Sequence, residues 1–312
     1  MYFWYVVTYC IMKRTVLFII ALSLLSSCGL FDDQSKPEGY VRHCVRIIDR
    51  TALYADSPEW KQTRQEVLAQ AKTLTTLDEA HEAVSNAAKV AGGKHSFLME
   101  PVKDTATYQE MAPSAKLLEG NIAHIVLPAH SGVKVSDSLY THTVLGFLQA
   151  NPDLKGVVLD LRDNRGGNMY PMIAAVSPLL PDGTLLKFQG RKRTFPISLD
   201  FVLSSAGLGA DKIEKFPASM PIAILTNDWT GSSGEATLLC FRGLPNVRTF
   251  GIPTAGYASA NMSFPLLDGY TLVITTSCDV ARTGEVFCDD GIEPDITTKA
   301  PLEDALVWIS AK

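Results

Sequence analysis

The chain has 312 residues, 46% of them hydrophobic and 20% charged, with a formal net charge of -5. That is the balance of an ordinary globular protein with room for one large domain or two modest ones, and it excludes a disordered chain. The densest basic cluster, Arg191-Lys192-Arg193, is too small to mark a nucleic-acid surface, so DNA and RNA are argued against as partners.

The N-terminus reads as an address. Lys13 and Arg14 form a short positive region, and Thr15 to Leu25 is an apolar run of eleven residues, too short to span a bilayer as a helix. It ends in Leu25-Ser26-Ser27-Cys28, which has the form of a bacterial lipobox: small residues allow cleavage and the Cys28 thiol takes lipid. A plain signal peptide that contains a cysteine is the competing reading. Met12 is the better start, because Met12-Lys13-Arg14 then makes the positive region directly. Residues 1–28 are therefore read as leader and 29–40 as a tether. Each acyl CH2 contributes about 0.8 kcal/mol of membrane binding, so a multiply acylated Cys28 anchors firmly. Gly29 is not the Asp that retains many lipoproteins in an inner membrane, which points to the outer one.

From Val41 to Ala91 the apolar spacing is helical. Thr76-Leu77-Asp78 opens a helix that Gly92-Gly93 closes. Residues 41–118 are read as an N-terminal helical region and 119–312 as an α/β core. Within the core, Ile122 to Leu127 predicts a strand and Asp137 to Ala150 a helix capped by Ser136 and stopped at Asn151-Pro152. Gly156 to Leu161 and Pro221 to Thr226 are near-continuous apolar runs, hence strands buried on both faces. Met169 to Leu180 and Gly234 to Phe241 predict helices, and Val247 to Gly251 a further strand. Alternation of strands and helices indicates an α/β fold. Residues 184–216, mixed apolar and basic, are read as a cap over the site, and 266–296 as antiparallel hairpins closing the sheet. Cys278 and Cys288 flank the turn at Arg282-Thr283-Gly284; a disulfide and two buried thiols are both open. Neither CxxC pairs nor zinc-type His/Cys spacing occurs, so no metal or cofactor is expected.

Ligands of α/β folds sit at the C-terminal ends of the strands. Two such ends are unusual here. Asp160-Leu161-Arg162-Asp163-Asn164-Arg165-Gly166-Gly167-Asn168 places paired glycines between strand and helix, where backbone N–H groups of Gly166 or Gly167 can form an oxyanion hole; a well-capped tight turn is the bland alternative. Thr230-Gly231-Ser232-Ser233-Gly234-Glu235 directs a hydroxyl into the cleft, with the Ser233 N–H beside it, and also has the spacing of a capping box. A nucleophilic serine needs a base. The residues alone do not select His95 over His130.

Together the motifs resemble the C-terminal-processing peptidase family, the tail-specific proteases and the tricorn-type core. Leu159 to Gly167 matches its strand-then-Asn-x-Gly-Gly element, and Thr230 to Glu235 its nucleophile motif with Gly231 for Ala, which implies Ser232 and not Ser233 as nucleophile. Gly251-Ile252-Pro253-Thr254-Ala255-Gly256 and Gly291-Ile292-Glu293-Pro294-Asp295 match its two later turns. The resemblance implies a crotonase/ClpP-like core sheet. Tail-specific proteases carry a Lys base just after the Pro-Thr-x-Gly turn; Tyr257 stands there, and no Lys occurs between Lys215 and Lys299, which excludes that dyad. Lys94-His95-Ser96 is similar to the His-Ser pair of other branches, making His95 the implied base, with Ser96, Asp289 or Asp290 as candidates to orient it. The interval after Phe97 is too short for a PDZ module, and the whole is most similar to the PDZ-less nisin resistance proteins, which are membrane-anchored and use a Ser/His pair. The expectation is an exported, lipid-anchored serine endopeptidase acting on extended peptide or protein C-terminal tails, its partners being the peptide and membrane lipid, with the oligomeric state left open. The competing classes are a peptide-binding lipoprotein without catalysis and a crotonase-like acyl-CoA enzyme, which the lipobox opposes.

Overall fold

Amphipathic spacing at the front of the chain produces three helices, α1 (Pro37–Thr51), α2 (Pro58–Gln70) and α3 (Leu77–Gly92). α1 begins inside the expected tether because Pro37 occupies the first turn, where a missing N–H costs nothing. Ser57 caps α2 by accepting from the Trp60 N–H at 3.1 Å, and Thr76 and Glu79 form a reciprocal capping box on α3. The computed structural model describes residues 32–101, 109–209 and 213–312. The leader with Met12, the lipobox with Cys28, and tether residues 29–31 lie outside the described residues.

Among the described residues the strands form two sheets. The first is antiparallel throughout. Its long central strand β10 (Thr271–Ala281) pairs with β1 (Phe97–Met99), β5 (Thr184–Gly190), β9 (Ser259–Pro265) and β11 (Val286–Phe287), and β5 pairs in turn with β6 (Thr194–Ser198). Residues 184–198, expected as part of a cap, are thus two strands of this sheet, and the helix α6 (Leu199–Ser205) follows them. The basic residues that suggested a cap fall at the β5–β6 turn, on the exposed side of an otherwise ordinary hairpin.

The N-terminal helices form no separate bundle. Tyr40, Ile48, Trp60 and Val84 share one apolar cluster with Leu272 and Ile274 of β10. The helices therefore cover one face of the first sheet, and the strand leaving α3 joins that sheet.

The second sheet has the order β12-β8-β7-β4-β3-β2. β3 (Ile122–Val126), β4 (Gly156–Asp160), β7 (Ile222–Thr226), β8 (Val247–Gly251) and β12 (Ile296–Thr297) are parallel, and β2 (Ser114–Leu118) is an antiparallel edge. Side chains alternate between two buried faces. Val157, Leu159, Ile222 and Ile224 join the core beneath α4 (Asp137–Ala150), α5 (Met169–Ala175) and α7 (Ser233–Leu239), while Val158, Ala223, Leu225 and Phe250 pack on α8 (Pro301–Ser310). Burial on both faces is why β4 and β7 carry unbroken apolar runs. The helix expected over Met169 to Leu180 ends at Ala175 and gives way to a 3-10 turn at Ser177–Leu179. Pro178 lacks the N–H that would continue it, and its ring would strike the carbonyl of residue 174.

If the helices and first sheet share one core, Ile274→Ala destabilises the whole chain by about 3 kcal/mol. Far- and near-UV circular dichroism melts then still coincide in one transition. A separate early transition of helical signal alone contradicts the shared core.

Candidate active site

The parallel strands β4 and β7 end side by side, and their exit loops are tied to one another. Asp163 N–H donates to Asn227 Oδ1 at 3.0 Å, Asn227 Nδ2 returns a bond to Asp163 Oδ1 at 2.9 Å, and Thr230 Oγ1 donates to Leu161 O at 2.8 Å. At the root of the first loop the buried Asp160 holds Arg162 through Nε at 2.8 Å and Nη2 at 2.6 Å. Burial pushes this carboxyl up, but the hydrogen bonds from Arg162 and His124 more than reverse that and leave it at about 2.

Asn164 joins the two loops from inside. Fully buried, it donates through Nδ2 to Leu127 O at 2.9 Å, accepts the Gly166 N–H on Oδ1 at 2.9 Å, and accepts the Gly231 N–H on its main-chain oxygen at 2.9 Å. The paired glycines are required by close approach. A Cβ on Gly166 would lie 2.6 Å from Ser232 Cβ, and one on Gly167 would lie 1.9 Å from His130 O, with both residues at positive φ. The Gly166 N–H is occupied by Asn164, which removes it from the expected oxyanion donors. Gly167 is exposed, and neither its N–H nor that of Ser233 has a backbone or side-chain acceptor among the described residues. Both residues line the same cavity.

Ser232 stands on the sharp turn between β7 and α7 with φ 53° and ψ -117°. A side chain in this sparsely populated region costs about 1–3 kcal/mol and persists only where its surroundings enforce it. The Ser232 N–H donates to Glu235 Oε2 at 2.9 Å, and the two residues have the reciprocal arrangement of a capping box. Ser232 thus opens the helix with the expected capping box and also lines the cavity. Ser233 Oγ donates to Gly167 O at 2.6 Å and braces the glycine loop.

Glu235 is fully buried and accepts four hydrogen bonds: from Ser232 N–H, Thr254 Oγ1, Gly256 N–H at 2.9 Å and Tyr257 N–H at 2.7 Å. Burial pushes its carboxyl above the ordinary range even against these donors. Thr254 Oγ1 also accepts the Ile292 N–H at 2.8 Å, and Asp295 Oδ2 accepts the Thr249 N–H at 2.9 Å. The two later glycine turns are thus lashed to β8 and to Glu235.

The imidazole comes from the other sheet. His95 lies between α3 and β1, and its Nδ1 is 2.9 Å from Ser259 Oγ at the start of β9. With the proton on Nδ1 donating to Ser259, Nε2 is an acceptor. Asn261 Nδ2 fixes the His95 main-chain oxygen at 3.1 Å, and the Tyr257 ring stands edge-on with centroids 5.1 Å apart. Tyr257, at the position where a Lys base was sought, walls the imidazole, and Lys94 Nζ lies 4.6 Å from its ring. Burial, and second the Lys94 cation, lower the His95 pKa to about 4.

None of the orienting groups expected from the sequence bonds the ring. Ser96 is fully buried and bolts β1 to β10, donating to Thr275 Oγ1 at 3.1 Å and accepting the Thr275 N–H at 2.9 Å. Asp289 accepts from Tyr54 OH at 3.4 Å and packs on Gly93, while Asp290 is exposed. Ser259 was missed because a serine between Ala258 and Ala260 carries no signal of its own; only the pairing of β1 and β9 to the same strand brings it under His95. His130, the other histidine in contention, is buried and tied to Asp137 Oδ1 at 2.7 Å.

Ser232 and His95 line one cavity of about 630 Å³, together with Gly167, Tyr257, Ser259 and Asp279 among others. A cavity of about 230 Å³ between residues 178–182 and 215–220 holds none of these groups. Among the described residues no group of three or more His, Cys, Asp or Glu side chains is placed to hold a metal ion. Cys278 and Cys288 are joined by a disulfide, which ties β10 to the turn carrying Asp289.

Residues 121–298 match the family model Peptidase family S41. The nisin-resistance protein of Lactococcus lactis subsp. lactis is 36% identical over 281 residues, covering 88% of this chain and 88% of that protein. A solved structure of a lipoprotein from Streptococcus agalactiae is 33% identical with a TM-score of 0.80, covering 88% of this chain and 96% of that one. The photosystem II D1 C-terminal processing protease gives a TM-score of 0.60 at 11% identity, covering 85% of this chain and 93% of that one, a likeness of fold alone.

Glu235→Gln turns one acceptor into a donor facing donors. It is expected to cost about 3 kcal/mol of stability in denaturant titrations, because it breaks buried hydrogen bonds to a charged group and leaves N–H groups unpaired. A loss below about 0.5 kcal/mol, the range of ordinary surface substitutions, would show that these four bonds do not hold the site.

Proposed function

The chain belongs to peptidase family S41, and from that premise we propose that it is a serine endopeptidase in which Ser232 is the nucleophile and His95 the general base. The observation that carries the proposal is the pairing of two features in one cavity: a serine held in a strained turn, and an imidazole whose Nδ1 is held by Ser259.

The steps follow from those positions. His95 Nε2 takes the Ser232 proton as Oγ attacks a peptide carbonyl, and returns it to the leaving amine; water then repeats the sequence on the acyl-enzyme. The oxyanion is held by the N–H groups of Ser233 and Gly167, each donor contributing about 3 kcal/mol. Gly166 shapes the turn rather than donating. Ser259 is a positioning residue. A hydroxyl sets the tautomer and ring angle but brings no negative charge to stabilise an imidazolium, so His95 stays neutral and available down to about pH 4 and is a comparatively weak base.

The parallel sheet, read as a core of the crotonase/ClpP kind, presents this site at its strand ends. The substrate is an extended peptide tail entering the cavity, in keeping with the C-terminal processing named for the family's curated relatives and the nisin resistance named for the Lactococcus relative. A Cys28 lipid anchor would hold the enzyme in the cell envelope, in line with the Streptococcus protein being a lipoprotein, and the Gly29 reading would place it on the outer membrane. Ser259 supplies the orienting group whose absence from the sequence pattern kept a non-catalytic peptide binder in contention.

A fluorophosphonate probe is expected to label the wild type on Ser232. Ser232→Ala abolishes labelling, and His95→Ala slows it by at least about a hundredfold. Labelling that persists in Ser232→Ala defeats the assignment. The acid limb of kcat/KM is expected near pH 4, where His95 gains its proton, rather than near 6.5. Lys94→Ala removes a cation that disfavours the imidazolium, so it raises the His95 pKa and moves this limb to higher pH; a shift the other way rules out His95 as the titrating base.

A further inference from the structure

Asp279 is the one acidic side chain lining the catalytic cavity among the described residues, and no step of the chemistry above uses it. It lies on β10 with 1% exposure, and its Oδ1 has no hydrogen-bond partner. Its direct cross-strand partners are Phe188 on β5 and Phe287 on β11, so the three side chains share one face of the sheet. Phe188 and Ala236 line the cavity with it, and Ala236 stands one helical turn from Ser232, its N–H bonded to Ser232 O at 2.9 Å.

A carboxyl in this setting is costly. Removing it from water without a partner disfavours folding by several kcal/mol unless something else satisfies it. Burial, and second the like charge of Glu235, raise its pKa well above the ordinary carboxylate range. Glu235 is saturated by its own four donors and offers Asp279 nothing. The residue lines the space a substrate fills, with Phe188 and Ala236 among the apolar side chains of the same cavity.

We propose that Asp279 is the floor of the subsite for the substrate side chain next to the scissile bond, and that this subsite selects lysine or arginine over an apolar side chain of equal length. The proposal rests on Ser232 being the nucleophile, because the subsite is defined by its position beside that residue. The long methylene stem of a basic residue packs on Phe188 and Ala236, as such stems do on apolar surface. Its cation meets Asp279, and the proton the carboxyl carried leaves to solvent. A charge-assisted hydrogen bond inside a dry pocket is about twice as strong as a neutral one, which makes it a discriminating contact. An apolar side chain leaves the carboxyl unmet, and an acidic one adds a third carboxylate beside Glu235 and Asp279.

The test uses the full chain and a peptide library made by digesting a bacterial proteome, with cleavage positions read by mass spectrometry. The wild type is expected to cut after Lys or Arg at least about tenfold more often than their abundance predicts. Matched quenched peptides with lysine, norleucine or glutamine before the cut should show at least the same tenfold preference in kcat/KM for lysine over both. In Asp279→Asn this preference is expected to collapse to within about threefold, since the amide keeps the shape and loses the charge. Fluorophosphonate labelling of the variant shows that the site has assembled. Should it fail to assemble, the wild-type preference alone decides. Equal rates on the lysine and norleucine peptides, or a preference for glutamine, overturn the proposal while labelling of Ser232 leaves the peptidase reading standing. Absence of wild-type labelling removes the peptidase reading itself.

Discussion

The Glu235 carboxylate is the junction on which the geometry depends. A buried carboxyl is tolerable only when its lone pairs are met, and here each oxygen accepts two donors. Those donors come from both sides of the cleft. The Ser232 N–H belongs to the nucleophile turn, and the N–H groups of Gly256 and Tyr257 belong to the loop whose ring stands against His95. One buried carboxylate thus holds two loops, separated by a strand and a helix, in a fixed relation. The strain at Ser232 is affordable in that setting, because the cost of relaxing it includes unpairing a buried carboxylate.

The imidazole reaches this junction by a different route. His95 leaves α3 and enters β1, whose register is set by the pairing of Phe97 with Val273 on β10 and by the Ser96 bolt to Thr275. β9, which carries Ser259, pairs with the same strand. β10 is therefore the ruler that sets the distance between the His95 imidazole and the Ser259 hydroxyl. The apolar packing of α1 to α3 on Leu272 and Ile274 holds that ruler flat against the helices. The N-terminal helices consequently support the strand that positions His95 and Ser259.

Much of this was legible in the residues, for identifiable reasons. β4 and β7 were readable because burial on both faces demands continuous apolar runs, and α4 because Ser136 and Asn151-Pro152 mark its ends physically. The loop motifs were readable because glycines that another backbone touches admit no substitute; Gly167, against His130 O, is such a case. What was not legible depends on contacts distant in the chain. β5 and β6 resembled a cap because an antiparallel hairpin beside a solvent-exposed turn mixes apolar and basic residues. Ser259 and Asp279 acquire meaning only from neighbours on other strands. Asp279 did leave a faint mark, an acidic residue interrupting a buried run on β10 between Cys278 and Val280.

Tyr257 follows the Pro253-Thr254-Ala255-Gly256 turn at the wall of the cavity that His95 also lines. Here the loop wall is an aromatic ring that packs edge-on against the imidazole and lies under the Lys94 ammonium. That arrangement desolvates His95 and brings a cation near it, and both effects hold the ring neutral. With a hydroxyl rather than a carboxylate beside Nδ1, no negative charge at that nitrogen favours the imidazolium, and burial and the Lys94 cation both act against it.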